Sequence, residues 1–135
     1  MPDRYVLDAF ALLAFFNEEA GAQQVANIVE EPRHALHISA INLGEVYYRL
    51  IRQRGRVAAE ASLGAVFAQP NLEVSQASWD RVRAAAEVKA GGRLSYADAF
   101  AAALSRELSA PLVTGDLEFA PLEAQGLLTI LWLPR

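Results

Sequence analysis

Short apolar segments alternate along the chain with longer segments that show helical periodicity. The apolar segments are too short for typical helices and are rich in Val, Leu and Ile, which indicates buried strands. The sequence predicts strands over residues 4–7, 36–38, 72–74, 111–114 and 128–133. Strands that alternate with helices form βαβ units. We therefore expect an α/β fold, a three-layer α/β/α sandwich around a mostly parallel sheet of roughly five strands.

Helices are predicted between these strands, and several have clear start and stop signals. Ser39 and Ser95 are good N-caps, and Gly55 is a good C-terminal stop. The predicted helices cover residues 9–16, 19–30, 40–54, 57–68, 78–90 and 95–108.

The length and composition favour one globular domain over residues 1–135. Hydrophobic residues make up 53% of the 135-residue chain, and cysteine is absent. The absence of cysteine excludes disulfides, thiolate catalysis and Cys-ligated zinc, and it suits a reducing cytoplasm. The N-terminus lacks the pattern of a signal peptide, and the longest apolar run, over residues 9–16, is too short to span a membrane. We expect a cytoplasmic protein without a membrane anchor.

Four acidic residues fall at positions where carboxylates have ordinary structural roles. Asp8 lies between a strand and a helix, where it would serve as an N-cap. Asp98 follows Ser95 by three residues, as in a capping box. Asp116 lies in a turn, and Glu45 lies on a helix away from its apolar stripe, as a solvated acid would. Taken singly, each acid is explained by local structure.

Taken together, the four acids are predicted to meet at one edge of the sheet. Asp8 and Asp116 follow strands, while Glu45 and Asp98 lie near the starts of helices that begin at the same edge. Ligands of open parallel sheets bind there, at the topological switch point. Two carboxylates about 5 Å apart repel by roughly 3 kcal/mol at an effective dielectric constant near 20. Such a cluster needs cations or raised pKa values, and oxygen ligands favour Mg²⁺ or Mn²⁺.

The charge balance is compatible with a nucleic-acid substrate once the cluster is set aside. The formal net charge is −4, whereas nucleic-acid binders are usually basic. Without the four clustered acids, twelve acids remain against twelve Lys and Arg. Arg49, Arg52 and Arg56 lie on one stripe if their segment is helical. That stripe is either a phosphate-binding surface or an ordinary solvated face.

Four segments resemble the motifs of the PIN-domain nucleases, and in particular of VapC-type toxins. Each motif is weak alone, but their order along nearly the whole chain is specific. The segments are 6–14 (VLDAFALLA), 39–46 (SAINLGEV), 95–103 (SYADAFAAA) and 112–119 (LVTGDLEF). The resemblance implies a PIN-like sandwich and a Mg²⁺- or Mn²⁺-dependent endoribonuclease.

The resemblance also implies roles for individual residues. Asp8, Glu45, Asp98 and Asp116 would hold the metal and activate water, and Thr114 would orient a carboxylate or a water molecule. Glu118 is left open between a fifth, peripheral acid and a solvated turn residue. Phe10 departs from the family pattern, because many relatives carry a small or polar residue there.

Partners follow from the same resemblance. Toxins of this family pair with a small VapB-like antitoxin and form homodimers, and their substrate is RNA. Ile41 and Tyr48 lie opposite the main apolar stripe of the helix over residues 40–54, so we expect that helix to bind a second copy or a partner. The alternative is a helix buried on both sides within one chain. Two other functions stay open: a housekeeping PIN-type RNA-processing nuclease and a non-catalytic α/β binding module.

Overall fold

In the described part of the chain the sheet consists of five strands, and every neighbouring pair is parallel. The computed structural model describes residues 3–135, so the first two residues of the predicted domain and N-terminal segment lie outside the described part. The strand order is β3-β2-β1-β4-β5. The strands are β1 (Arg4–Leu7), β2 (Ala35–Ser39), β3 (Leu72–Ser75), β4 (Leu112–Thr114) and β5 (Ile130–Trp132).

Within residues 3–135, seven helices and one 3₁₀ turn accompany the strands. The 3₁₀ turn covers Leu117–Phe119, directly before the last helix. The helices are α1 (Ala9–Phe16), α2 (Ala22–Glu30), α3 (Ala40–Arg54), α4 (Arg56–Ala68), α5 (Trp79–Ala90), α6 (Tyr96–Leu108) and α7 (Ala120–Ala124).

Two hydrophobic cores cover the two faces of the sheet. Alternate residues of β1 point to opposite faces, as in any strand. Tyr5 and Leu7 pack with helices α1 to α4, whereas Val6 packs with α5 and α6. The predicted three-layer sandwich is therefore confirmed, with a sheet that is wholly parallel.

The chain changes direction in the sheet between β1 and β4. It runs from β1 outward to β2 and β3, and then crosses back to place β4 on the other side of β1. Val6 pairs with Leu112 and Leu7 with Val113, so Asp8 and Thr114 come next at the same carboxyl edge. This edge is the switch point at which parallel α/β sheets bind ligands.

Two segments differ from the sequence-based expectations. Helix α2 begins at Ala22 instead of residue 19, because Glu18 and Gly21 take positive φ angles of 53° and 91° that interrupt the helical path. Residues 117–124 form the 3₁₀ turn and α7, which the sequence analysis left without structure. Among the described residues, no helix has the length and apolar character needed to cross a membrane.

Candidate metal-binding active site

All four predicted acids line one cavity of about 230 Å³ at the carboxyl edge of the sheet. Side chains from α1, α3 and α6 meet there with those of residues that follow β1, α1 and β4. The lining residues are Asp8, Ala9, Phe10, Leu13, Glu19, Glu45, Arg49, Asp98 and Asp116.

Asp8 is the most deeply buried of these acids, with 2% of its surface exposed. It caps α1, since its Oδ1 accepts a hydrogen bond of 2.9 Å from the backbone N–H of Ala11. Its Oδ2 accepts a second hydrogen bond, of 2.5 Å, from the hydroxyl group of Thr114. Burial raises the pKa of Asp8 to about 7, although both hydrogen bonds oppose the rise. The capping role and a role in the cluster therefore coexist in one side chain.

Asp98 faces the cavity from the first turn of α6. The cap of that helix is Ser95, whose Oγ accepts a 3.1 Å hydrogen bond from the backbone N–H of Asp98. The pKa of Asp98 rises to about 6, first because of burial and then because of the negative charge on Asp116; Glu45 adds to the rise. The cap at Ser95 thus fixes the backbone of Asp98 at the start of α6, while the Asp98 carboxylate lies among the other acids.

Asp116 and Glu118 are brought together by the 3₁₀ turn. Asp116 Oδ1 accepts a 2.9 Å hydrogen bond from the backbone N–H of Glu118, while the Asp116 N–H donates to Thr114 Oγ1 over 3.0 Å. One carboxylate oxygen each of Asp98, Asp116 and Glu118 lies within 4.8 Å of the others. Glu118 therefore joins the acids at the mouth of the site, although its side chain is exposed.

Glu45 is half-buried, unlike the solvated helix acid that its position on α3 suggests. Only 22% of its side chain is exposed. Its Oε1 is buried without a hydrogen-bond partner among the described residues, whereas Oε2 lies 3.7 Å from Arg49 Nη1. The start of α3 is tied to the start of α6, because Asn42 Nδ2 donates a 2.9 Å hydrogen bond to the carbonyl of Ala97. That tie fixes Glu45 relative to Asp98.

Among the other lining residues, Glu19 was not predicted as part of the site, and Phe10 was noted only as a departure from the family pattern. Glu19 lies in the connection after α1, where the positive φ of Glu18 turns the chain towards the cavity. Phe10 forms an apolar wall. A Cβ atom on Gly115 would clash with the end of the Phe10 ring, so a larger residue at this position would require the ring to move. Phe10 thus shapes the cavity and lies against Gly115.

The donor set fits a hard divalent cation. The lining side chains that could act as ligands are all carboxylates, which suit Mg²⁺ and Mn²⁺. A bound cation would partner the buried Oε1 of Glu45, which has no hydrogen-bond partner among the described residues. It would also favour the ionised forms of Asp8 and Asp98, whose pKa values are raised by burial. Asp8, Glu45, Asp98 and Asp116 are positioned to hold such an ion, with Glu118 at the rim.

Solved structures with the same fold include several VapBC structures and one VapC toxin. Rickettsia felis VapBC2 bound to promoter DNA gives a TM-score of 0.75 at 17% identity, covering 97% of this chain and 99% of that chain. Mycobacterium tuberculosis VapC20, described as a Sarcin-Ricin loop cleaving toxin, gives 0.74 at 20% identity, covering 87% and 93%. DNA-bound Salmonella typhimurium VapBC gives 0.70 at 18% identity, covering 97% and 98%.

The family assignment comes from a match to the PIN domain over residues 5–124. A comparison with curated protein sequences gives no significant match. The matched range contains all four carboxylates, β4, the 3₁₀ turn and all of β1 except its first residue. It confirms the resemblance inferred from the four sequence motifs, and the chain therefore belongs to the PIN domain family, whose members are nucleases.

Proposed function

We propose that residues 1–135 form a single-domain endoribonuclease that hydrolyses RNA phosphodiester bonds with Mg²⁺ or Mn²⁺ and serves as the toxin of a toxin–antitoxin pair. The observation that carries the proposal is the convergence of Asp8, Glu45, Asp98 and Asp116 on one cavity. If these acids only capped helices and turns, nothing would require them to line the same cavity. Burying and crowding these carboxylates opposes folding in the absence of a cation, which supports a functional reason for the cluster.

In this proposal the chain's own residues bind the metal and position the reacting groups. The carboxylates of Asp8, Glu45, Asp98 and Asp116 bind the ion. When bound, the ion lowers the pKa of a water molecule and offsets the negative charge of the phosphodiester. Thr114 is a positioning residue, since its hydroxyl group donates to Asp8 and accepts from the N–H of Asp116.

The proposed partners are an RNA substrate, a VapB-like antitoxin and a second copy of the chain. The structural neighbours that are VapBC complexes support an antitoxin partner. VapC20, described as cleaving the Sarcin-Ricin loop, supports an RNA substrate. Five carboxylates line the cavity, so an antitoxin that inserts a basic side chain there would be attracted electrostatically and would block the metal-binding residues.

The test is cleavage of labelled RNA by purified protein with Mg²⁺, with Mn²⁺ and with excess EDTA. Cleavage is expected with either ion and should stop in EDTA. Undiminished cleavage in excess chelator would contradict the metal-dependent mechanism. The toxin role is tested by expressing the chain alone in bacteria. Growth should arrest, and a strain that grows normally while accumulating nuclease-competent protein would favour a housekeeping nuclease.

A further inference from the structure

The cavity combines strong negative charge with a single positive side chain. Five of its lining residues are acids, and Arg49 is the one cation among the cavity-lining residues of the described part. The backbone of a nucleic acid is itself anionic, so the acids repel it at every step of its approach. A positively charged side chain on the wall of the cavity would reduce that repulsion at the position where the phosphate binds.

On the basis of the proposed function, we propose that Arg49 is the phosphate-binding residue of this site. Its guanidinium group moves from Glu45 to the RNA phosphodiester when metal and substrate bind. A guanidinium group is permanently charged and matches two phosphate oxygens with two parallel N–H donors. Arg49 thereby attracts the anionic backbone to a site whose other charged groups are acids.

The present contact of Arg49 is weak enough to be exchanged. Arg49 Nη1 lies 3.7 Å from Glu45 Oε2, and 47% of the arginine side chain is exposed. Exposed ion pairs between residues four apart on a helix contribute little to stability. Arg49 also competes with a metal ion for Glu45. An ion that binds Glu45 therefore releases the guanidinium group beside the position where the phosphate is expected.

Neighbouring arginines are engaged elsewhere. The guanidinium group of Arg52 lies over the ring of Tyr48, 5.0 Å from its centroid. Arg54 donates a 2.6 Å hydrogen bond to the carbonyl of Phe16. The predicted arginine stripe is interrupted, because Gly55 ends α3 and Arg56 begins α4. Of Arg49, Arg52 and Arg56, only Arg49 lines the cavity. Arg52, one turn further along α3, is the matched control.

The experiment combines two measurements on wild type, Arg49→Gln, Arg49→Lys and Arg52→Gln. The first is single-turnover cleavage of a labelled RNA at saturating Mn²⁺ over a range of salt concentrations. The second is calorimetric titration of each protein with Mn²⁺ alone. For Arg49→Gln we expect the half-saturating protein concentration to rise on the order of tenfold and its salt dependence to become shallower. Arg49→Lys should recover part of the loss, and Arg52→Gln should resemble wild type.

The Mn²⁺ titration separates phosphate binding from a purely structural role. If Arg49 binds phosphate and competes for Glu45, Arg49→Gln should bind Mn²⁺ more tightly than wild type, because a competing positive charge is gone. If Arg49 only holds Glu45 in place for the metal, Arg49→Gln should bind Mn²⁺ more weakly, and that result overturns the proposal. Unchanged RNA saturation and salt dependence, or equal losses in Arg52→Gln, also overturn it. A wild type that never cleaves RNA overturns the proposed function itself.

Discussion

At the residue scale, one hydroxyl group links two carboxylates of the candidate site. Thr114 is fully buried, and its Oγ1 donates to Asp8 Oδ2 while accepting from the backbone N–H of Asp116. The hydrogen bond to Asp8 lowers the pKa of that acid against the larger effect of burial. Thr114 therefore keeps Asp8 closer to its ionised form and fixes its distance from the turn that carries Asp116.

Replacing Thr114 tests this link. Thr114→Val keeps the volume but removes the donor and the acceptor, so the pKa of Asp8 should rise further and Mn²⁺ should bind more weakly near neutral pH. The Asp116 N–H also loses its partner, and the free energy of unfolding should fall by about 1–3 kcal/mol. Thr114→Ser keeps the hydroxyl group and serves as the control. Urea unfolding and Mn²⁺ calorimetry would measure both effects, and equal behaviour of Val and Ser variants would contradict the link.

The sequence pattern located some residues of the site more readily than others. Asp8 and Asp116 follow strands whose ends must meet at one edge, so their convergence in the cavity is predictable from topology alone. Glu19 was missed, because its position depends on a positive φ at Glu18, where the usual signal would be glycine. Glu118 was left open, because its proximity to Asp98 depends on a 3₁₀ turn too short to show periodicity.

At the scale of elements, α3 has a buried side and an exposed apolar flank. Its buried side packs in the core through Leu43, Val46 and Leu50. Ile41 and Tyr48 remain 38% and 46% exposed. The alternative of a helix buried on both sides within one chain is therefore wrong. The predicted role of this flank in self-association stays a prediction.

Self-association through α3 should be sensitive to charge at Tyr48. Tyr48→Asp places an unpaired carboxylate in the proposed contact and should shift a dimer towards monomer. Phe67→Asp is the control, since Phe67 is an exposed aromatic residue on α4, with 66% of its surface accessible. Sedimentation velocity at several concentrations would measure the shift. A wild type that is monomeric at high concentration would argue against the prediction, as would a dimer unaffected by Tyr48→Asp.

The elements themselves were predictable where their start and stop signals are strong. Ser39 caps α3, Ser95 caps α6 and Gly55 ends α3 with a φ of 87°. Helix α7 escaped prediction, because it has only five residues and carries a proline in its first turn. Its contact with the second core is made by the partly buried Leu122, which no local pattern indicates.

At the scale of the whole molecule, the cluster should make the metal-free protein less stable as the pH rises. The pKa values of Asp8 and Asp98 are raised from 3.8 to about 7 and about 6. At a pH above 3.8 but below the raised pKa values, these two carboxyl groups are ionised in the unfolded chain but still protonated in the folded chain. The free energy of unfolding therefore falls as the pH increases through this range. Thermal melting in EDTA should give a higher Tm near pH 5 than near pH 7.5.

The control for this pH dependence is the double variant Asp8→Asn with Asp98→Asn, which cannot titrate at either position. Its Tm should change much less between pH 5 and 7.5 than that of the wild type. A saturating concentration of Mn²⁺ should also reduce the decrease in Tm of the wild type between pH 5 and 7.5, because a ligand that binds the ionised carboxylates stabilises the folded state. Equal pH dependence in the wild type and the double variant would contradict the account.

The central claim is that the acids form a metal-binding active site and are more than helix caps and turn residues. Asp98→Asn tests it, with Asp80→Asn as the matched control: Asp80 lies in the first turn of α5 after the cap Ser78 but outside the cavity. If Asp98 only stabilised its helix, removing its charge would lower stability. In a repulsive cluster the change instead removes unfavourable charge, worth on the order of 1 kcal/mol after solvent screening is discounted.

The most direct measurement is the Mg²⁺-induced rise in Tm of wild type, Asp98→Asn and Asp80→Asn, with RNA cleavage assayed on the same preparations. Asp98→Asn should melt at or above the wild type in EDTA, gain less from Mg²⁺ and lose cleavage by orders of magnitude. Asp80→Asn should match the wild type in Mg²⁺ response and cleavage. Equal Mg²⁺ stabilisation of all three proteins, with cleavage retained in Asp98→Asn, would reduce Asp98 to a helix-capping acid and contradict the four-acid site.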